Sequence, residues 1–298
     1  ITIDSKSDSY DIFVEDMDGD GFKDLVYCKS NGNSKNVVWL KNTDGAGNFA
    51  LPVVLATSNF YTKVQVIDMD NDGDFDIVYS SSTSLLLLKN NGTGTFTSQS
   101  LASSADAFFM IDVNGDQLVD LIYKSGYLLH YLQQNPDGTF LFKETMDSFV
   151  VNNYNNGFIT GGDIDGDGDI DIAVIHENGN DRRIKWYKNT DNVFANFLTL
   201  TLLPSSNGAT SGDNRSMILD DVNNDGLLDV VMHNSFLNKV SWFKNLGITG
   251  FGTEQTISLA VTNPRSIATG DFNNDAKLDV VAVGVTNNDV VWFNNTTG

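Results

Sequence analysis

A nine-residue acidic pattern occurs six times in this chain, and no other feature limits the possible folds so tightly. It reads DMDGDGFKD at residues 16–24, DMDNDGDFD at 68–76 and DVNGDQLVD at 112–120. It returns as DIDGDGDID at 163–171, DVNNDGLLD at 221–229 and DFNNDAKLD at 271–279. Positions 1, 5 and 9 are Asp every time, and position 3 is Asp or Asn. Successive copies start 52, 44, 51, 58 and 50 residues apart. Self-similarity at a period near 50 indicates a repeat architecture, in which neighbouring units complete one another's cores.

The oxygen-bearing side chains of such a turn converge on one point, which suits a hard cation. Calcium takes about 6–8 oxygens in flexible geometry, whereas magnesium demands a smaller octahedron rich in water. The expected ligands are the side chains at positions 1, 3, 5 and 9 and the backbone carbonyl at position 7. In the first three loops these are Asp16, Asp18, Asp20, Phe22 and Asp24; Asp68, Asp70, Asp72, Asp74 and Asp76; and Asp112, Asn114, Asp116, Leu118 and Asp120. In the last three they are Asp163, Asp165, Asp167, Asp169 and Asp171; Asp221, Asn223, Asp225, Leu227 and Asp229; and Asp271, Asn273, Asp275, Lys277 and Asp279. Up to six Ca2+ ions are implied. An EF-hand needs Glu at loop position 12 and a helix on either side. Position 12 is Tyr27, Tyr79, Tyr123, Val174, Met232 or Ala282, within β-rich runs such as DLVY and DVVM. The loops therefore join strands.

Charge supports a cation. Carboxylates at positions 1, 3, 5 and 9 number four, four, three, four, three and three along the loops, and their total of 21 equals the net charge of −21. Six divalent ions would bring the chain to −9; without them each loop holds three or four carboxylates in mutual repulsion. The same acidity argues against nucleic acid or an anionic membrane surface as partner. Positions 6 of loops 3 and 6 are Gln117 and Ala276 instead of Gly. Both side chains resist left-handed backbone angles, so weaker calcium binding is expected there.

Each repeat offers four short strands. One run precedes the loop (KVQVID, RSIATGD), a second follows it (DIVY, DVVA), and a third reads VVWLKN, LLLLKN, HYLQQN, IKWYKN, VSWFKN or VVWFNN. A turn ending in Phe49, Phe96, Phe140, Phe194 or Phe251 then leads to a fourth run in the first five repeats. Four strands per repeat with almost no helical periodicity predict a propeller blade. The expected fold is all-β: a six-bladed β-propeller of four-stranded antiparallel blades, with seven blades as the alternative, forming a single domain over 1–298. The last repeat stops after its third strand, and ITIDS at residues 1–5 is expected to supply the fourth, closing the ring by pairing the N- and C-terminal strands. Trp39, Trp186, Trp242 and Trp292 share one third-strand site with Leu87 and Tyr131. A site that accepts Leu predicts packing between blades more than a platform for sugar rings. The Asn that follows is expected to order the next turn.

These repeats resemble FG-GAP or VCBS-type blades, as in integrin α-subunit propellers, fungal lectins of the Psathyrella velutina type and many secreted bacterial proteins. The resemblance covers the whole chain and implies a calcium-binding propeller. For activity it leaves lectins, adhesins and some polysaccharide lyases open.

The remaining features bound the function. There is no run long and apolar enough to span a membrane and no leader, which reads as a mature or excised segment without membrane insertion. Cys28 is the one cysteine and is expected to be buried filler. Calcium loops of this kind suit the millimolar calcium outside cells, so a secreted or cell-surface location is expected. Every arginine, Arg182, Arg183, Arg215 and Arg265, falls in loops or strand starts at the blade ends away from the calcium turns. His176 and His233 end second strands nearby, and Tyr154, Phe60 and Tyr61 lie in links between blades. Arginines gathered in one sector of an acidic protein suit carboxylates or sulfates; the structural alternative is that they tie neighbouring loops. The favoured expectation is a calcium-stabilised carbohydrate-binding or adhesion module without chemistry of its own, whose partner is a glycan or other extracellular ligand. The alternatives are a lyase acting on a uronate polymer, with His176, His233 or a Tyr as base, and a protein-interaction propeller.

Overall fold

The computed structural model describes residues 9–31, 34–58, 63–81, 83–103, 105–148, 158–178, 181–201, 216–235, 237–284, 286–287 and 289–296. It is a six-bladed β-propeller. The first blade comprises Ser9–Glu15, Asp24–Asn31, Ser34–Leu40 and Val53–Ser58, and the second Val64–Ile67, Asp76–Ser80, Ser84–Asn90 and Phe96–Ser103. The third comprises Ala107–Ile111, Asp120–Ser125, Leu128–Gln134 and Phe140–Ser148, and the fourth Ile159–Gly162, Asp171–Asn178, Asp181–Thr190 and Val193–Thr201. The fifth has Met217–Asp220, Asp229–Asn234, Lys239–Phe243 and Gln255–Ser258; the sixth has Pro264–Gly270, Asp279–Gly284 and Asp289–Phe293. In every blade the strands are hydrogen-bonded antiparallel in chain order. The sixth shows three strands among the described residues; residues 1–5, expected to supply its fourth, lie outside them. The blades fall into two compact units of three, residues 1–112 with 116–149 and residues 113–115 with 150–298.

Val- and Ile-rich second strands suit positions covered on both faces, and Asp76–Ser80 and Asp229–Asn234 are buried along their whole length. The fourth strand of a blade is mostly exposed, as at Phe96–Ser103. Four buried clusters lie between consecutive blades. Met17, Val26, Cys28 and Trp39 of the first blade pack on Val64, Ile77, Tyr79 and Leu88 of the second. Ile164, Ile184 and Trp186 of the fourth do the same with Met217, Val230 and Phe243 of the fifth. Trp39 meets Phe96 edge-on at 6.0 Å between ring centroids, and Trp186 meets Phe251 at 5.9 Å. The repeated Trp site is thus an inter-blade contact in these pairs. Gly94 lets Trp39 lie close, because a Cβ there would stand 2.4 Å from the indole. Cys28 is free and buried in the same core, where desolvation pushes its thiol pKa up.

A second inter-blade device is polar. In blades 2 to 6 the last residue of the third run, expected to order the following turn, also reaches back to the preceding blade. The side-chain amide of Asn90 donates to the Met17 carbonyl at 2.7 Å, that of Gln134 to Met69 at 3.1 Å and that of Asn245 to Ile164 at 2.6 Å. Asn189 and Asn295 reach Val113 and Val222 at 3.2 and 2.8 Å. Each acceptor is position 2 of the preceding acidic loop. The same amides of Asn90, Asn189, Asn245 and Asn295 also hold the position-8 carbonyl of their own loop. Each Asn or Gln, from Asn42 to Asn245, pairs in register with the repeated Phe of its own blade.

Asn245 is 1% exposed, so Asn245→Ala would strand the buried Ile164 carbonyl and the half-buried Leu228 carbonyl, a buried one costing about 1–3 kcal/mol. Urea denaturation should show a loss of at least about 2 kcal/mol; a loss below about 0.5 kcal/mol, the range of ordinary surface changes, would refute the stapling role.

Candidate metal loops and ligand surface

Each acidic loop is a turn wound around its own position-1 carboxylate. Asp163 accepts hydrogen bonds from Gly166 and Asp167 N–H at Oδ1, 2.8 and 3.0 Å, and from Gly168 N–H at Oδ2, 3.0 Å. Asp16 repeats the arrangement with Gly19, Asp20 and Gly21. At position 5 the carboxylate accepts the position-7 N–H, as in Asp20 with Phe22 and Asp225 with Leu227, at 2.9 and 3.1 Å. Such a winding requires positive φ at position 6. Gly21, Gly73, Gly168 and Gly226 have φ between 87° and 95°. Gln117 and Ala276 adopt the same left-handed region at 70° and 64°. Loops 3 and 6 thus keep the turn and bear its backbone strain.

Position 9 behaves differently from the rest. Asp24, Asp76, Asp120, Asp171, Asp229 and Asp279 are at most 1% exposed. Their Oδ1 accepts the backbone N–H of Asn42, Asn90, Gln134, Asn189, Asn245 and Asn295 at 2.7–2.9 Å. Oδ2 of Asp24, Asp76 and Asp171 accepts the position-2 N–H of the same loop at 3.2 Å. The indoles of Trp39 and Trp292 and the Tyr131 hydroxyl add 3.0 Å bonds to Asp24, Asp279 and Asp120. Burial pushes Asp76 and Asp171 up to about 6, and raises Asp24 and Asp229 as well.

At position 3 the hydrogen bonds run out. Asp18 and Asp165 have side chains only 9% and 4% exposed. Their Oδ1 atoms, with Oδ1 of Asp68 and Asp70, are buried and accept no hydrogen bond. Three carboxylate sets, Asp16/Asp18/Asp24, Asp68/Asp70/Asp72 and Asp163/Asp165/Asp167, place one oxygen from each member within 4.8 Å of the others. Converging, unsatisfied carboxylate oxygens fit an oxygen-seeking divalent ion. The opposite oxygen of Asp18, Asp70 and Asp165 meets Lys41, Lys89 and Lys188, the residue just before the Asn at the end of the third strand. Lys41 and Lys188 also reach position 5, Asp20 and Asp167, at 2.9 Å. Their carboxylate partners hold both ammonium groups above the ordinary lysine range.

The third-to-fourth turn sits at the same end of its blade, where Asp191 N–H donates to Asp169 at 3.0 Å. Arg183 and Arg265 lie at the opposite blade ends. Arg183 pairs in register with His176, and Arg182 with Glu177. Arg265 is exposed at an irregularity in pairing between Pro264 and Ser266. His233 is 1% exposed, and its Nε2 accepts the Ser216 N–H at 3.2 Å, so it serves as a backbone tie. Arg215, Tyr154, Phe60 and Tyr61, and the side chains of His176 and Arg182, lie outside the described residues. The Asn staples and the loop-facing lysines were visible in sequence only as the repeated K-N pair, which carries no sign of its partners.

The family model described as FG-GAP-like repeat matches residues 16–79, 68–123, 112–174 and 221–282. No curated protein matches the chain. A solved lectin from Agrocybe aegerita, described for specific recognition of non-reducing terminal N-acetylglucosamine, is 18% identical with a TM-score of 0.61. The similarity covers 98% of this chain and 81% of that one. BBS1N, solved in complex with ARL6DN, is 10% identical with a TM-score of 0.61, over 96% of this chain and 79% of its own. The exotype rhamnogalacturonan lyase YesX is 16% identical with a TM-score of 0.50, over 98% of this chain and 56% of the lyase. At these identities the likeness is one of fold.

Gln117→Gly and Ala276→Gly should each stabilise the protein by about 1 kcal/mol, the lower end of left-handed strain after the added freedom of the unfolded chain. Thermal melts should rise for both; a fall in either would show that the observed φ carries no strain.

Proposed function

The chain belongs to the FG-GAP-like repeat family, and on that premise we propose that it is a calcium-stabilised carbohydrate-binding module. The observation that carries the metal half is the set of buried carboxylate oxygens without donors at Asp18, Asp68, Asp70 and Asp165. Calcium supplies the positive charge that these oxygens lack, holding the hairpin of each blade in one shape. The carbohydrate half is supported by a lectin that shares the fold over 98% of this chain. Its proposed surface lies at the blade ends bearing Arg183 and Arg265, where guanidinium groups suit acidic sugars. The loop carboxylates are committed to metal and hydrogen bonds, so calcium shapes that surface indirectly. A secreted or cell-surface setting, where calcium is millimolar, fits this role. The lyase alternative loses His233 as an accessible base, because that ring is buried and occupied by a backbone N–H.

Calcium bound only to the folded state stabilises it by mass action. The melting temperature should therefore rise substantially from EDTA to calcium, and Asp167→Ala should cut the rise more than Asp275→Ala. Equal melting temperatures in EDTA and calcium would refute the metal half.

The calcium effect should also depend on pH. Asp76 and Asp171 titrate near 6 in the ion-free fold, above the ordinary Asp value of 3.8. Their protonated forms favour the ion-free fold; that contribution is complete below about 3.8 and is lost as pH rises through about 6. Binding calcium requires the ionised forms, so it releases protons and weakens below pH 6. The calcium-induced rise in melting temperature should shrink between pH 7 and pH 5; a rise that grows on acidification would contradict the ligand assignment.

For the carbohydrate half, a glycan array in calcium should show binding to acidic glycans, reduced by Arg265→Ala with less than about 0.5 kcal/mol change in stability. Release of unsaturated uronate products, seen by ultraviolet absorbance, would replace this reading with the lyase. Absence of glycan binding across the array would remove it.

A further inference from the structure

The residue preceding each third-strand Asn or Gln faces the acidic loop of its own blade, and its identity follows loop position 3. Where position 3 is Asp, in loops 1, 2 and 4, that residue is Lys41, Lys89 or Lys188. Where position 3 is Asn, in loops 3 and 6, it is Gln133 or Asn294. Gln133 donates to Asp116 at 3.2 Å, and Asn294 accepts from Asn273 at 3.1 Å. Loop 5 alone combines Asn223 with a lysine, and there Lys244 turns to position 5, 3.0 Å from Asp225. Counting positions 1, 3, 5 and 9 together with this residue, five loops carry a net charge of −3, and loop 5 carries −2. Each position-3 Asp is divided between two tasks. One oxygen meets the ammonium, while Oδ1 stays buried without a donor.

We propose that the third-strand lysine is an internal counter-ion of the metal loop, which holds the ion-free turn together and lowers its affinity for calcium. The idea rests on the loops being calcium sites. An ammonium bonded to a position-3 oxygen relieves carboxylate repulsion when no ion is present, and repels a divalent ion held by the other oxygen. Removing the lysine charge has opposite effects on the two states. The ion-free fold loses support, and the calcium-bound fold loses a repulsive neighbour.

The test uses the EDTA-stripped 298-residue chain and calcium chloride, with the Gly168 amide followed by NMR as a reporter for loop 4. Lys188→Met should lower the half-saturating calcium concentration at Gly168 about tenfold, as expected for losing a like charge a few ångströms away. It should lower the melting temperature in EDTA by several degrees and in calcium by much less. The reciprocal change Gln133→Lys should raise half-saturation in loop 3, so the proposal stands or falls even if Lys188→Met folds poorly. An unchanged midpoint, with equal losses of melting temperature in both conditions, would make the lysine an ordinary ion pair and overturn the proposal alone. Wild-type Gly168 unmoved by calcium would overturn the calcium assignment of loop 4, and this proposal with it.

Discussion

Six buried aspartates, one closing each acidic loop, hold the blades to their loops. A carboxylate removed from water is costly unless hydrogen bonds and opposite charge replace the lost hydration. Here the replacement is built by the fold itself. Oδ1 accepts the N–H of the third-strand Asn or Gln, and in loops 1, 2, 4 and 6 Oδ2 accepts the position-2 N–H of its own loop. In blades 2 to 6 the residue whose N–H is captured also reaches with its side chain to position 2 of the loop before. In loops 1, 2, 4 and 5, that position-2 residue is Met17, Met69, Ile164 or Val222, buried in the core between two blades. One carboxylate thereby fixes the loop, the end of the third strand and the seam with the adjacent blade. Disturbing it disturbs all three.

This arrangement explains why so acidic a chain can be compact. The loop carboxylates equal the net charge of −21 in number, yet they do not share one environment. Position 1 shapes the turn and position 9 anchors it; position 3 keeps an oxygen buried without a donor in loops 1, 2 and 4. A divalent ion would resolve that imbalance where the hydrogen bonds do not. The third-strand lysines provide partial neutralisation on the other side of the same groups. Metal and lysine, on the proposed reading, act on one network that includes the blade seams. On the proposed reading, ligand affinity at the opposite blade ends inherits its dependence on calcium through these hairpins.

Much of the fold was legible because its information is local and repeated. Asp at positions 1, 5 and 9, a β run after each loop and a period near 50 residues identify blades and count them. The Trp site was read as packing because Leu87 and Tyr131 share it, and Trp39 and Trp186 do pack on the Phe of the next blade. The staples were missed for the converse reason. Asn245 and Ile164 are 81 residues apart, and a lone Asn in a K-N pair looks like a turn residue. Gln117 and Ala276 are poor residues for left-handed backbone, yet both adopt it, held by the hydrogen bonds of the turn. The ligand surface was least legible. Its arginines fall in only three of the six repeats, and His233, which in sequence resembles a candidate base, proves to be a buried tie for Ser216.

Native-state hydrogen exchange at the backbone amides of Asn90, Asn189 and Asn245 tests the central claim most directly, because each donates its proton to a buried position-9 carboxylate. These amides should exchange only when their whole unit opens, and calcium should slow them together with the glycine amides of the loops. Exchange as fast as that of exposed turn amides, or loop protection by calcium that leaves these three amides unaffected, would contradict it.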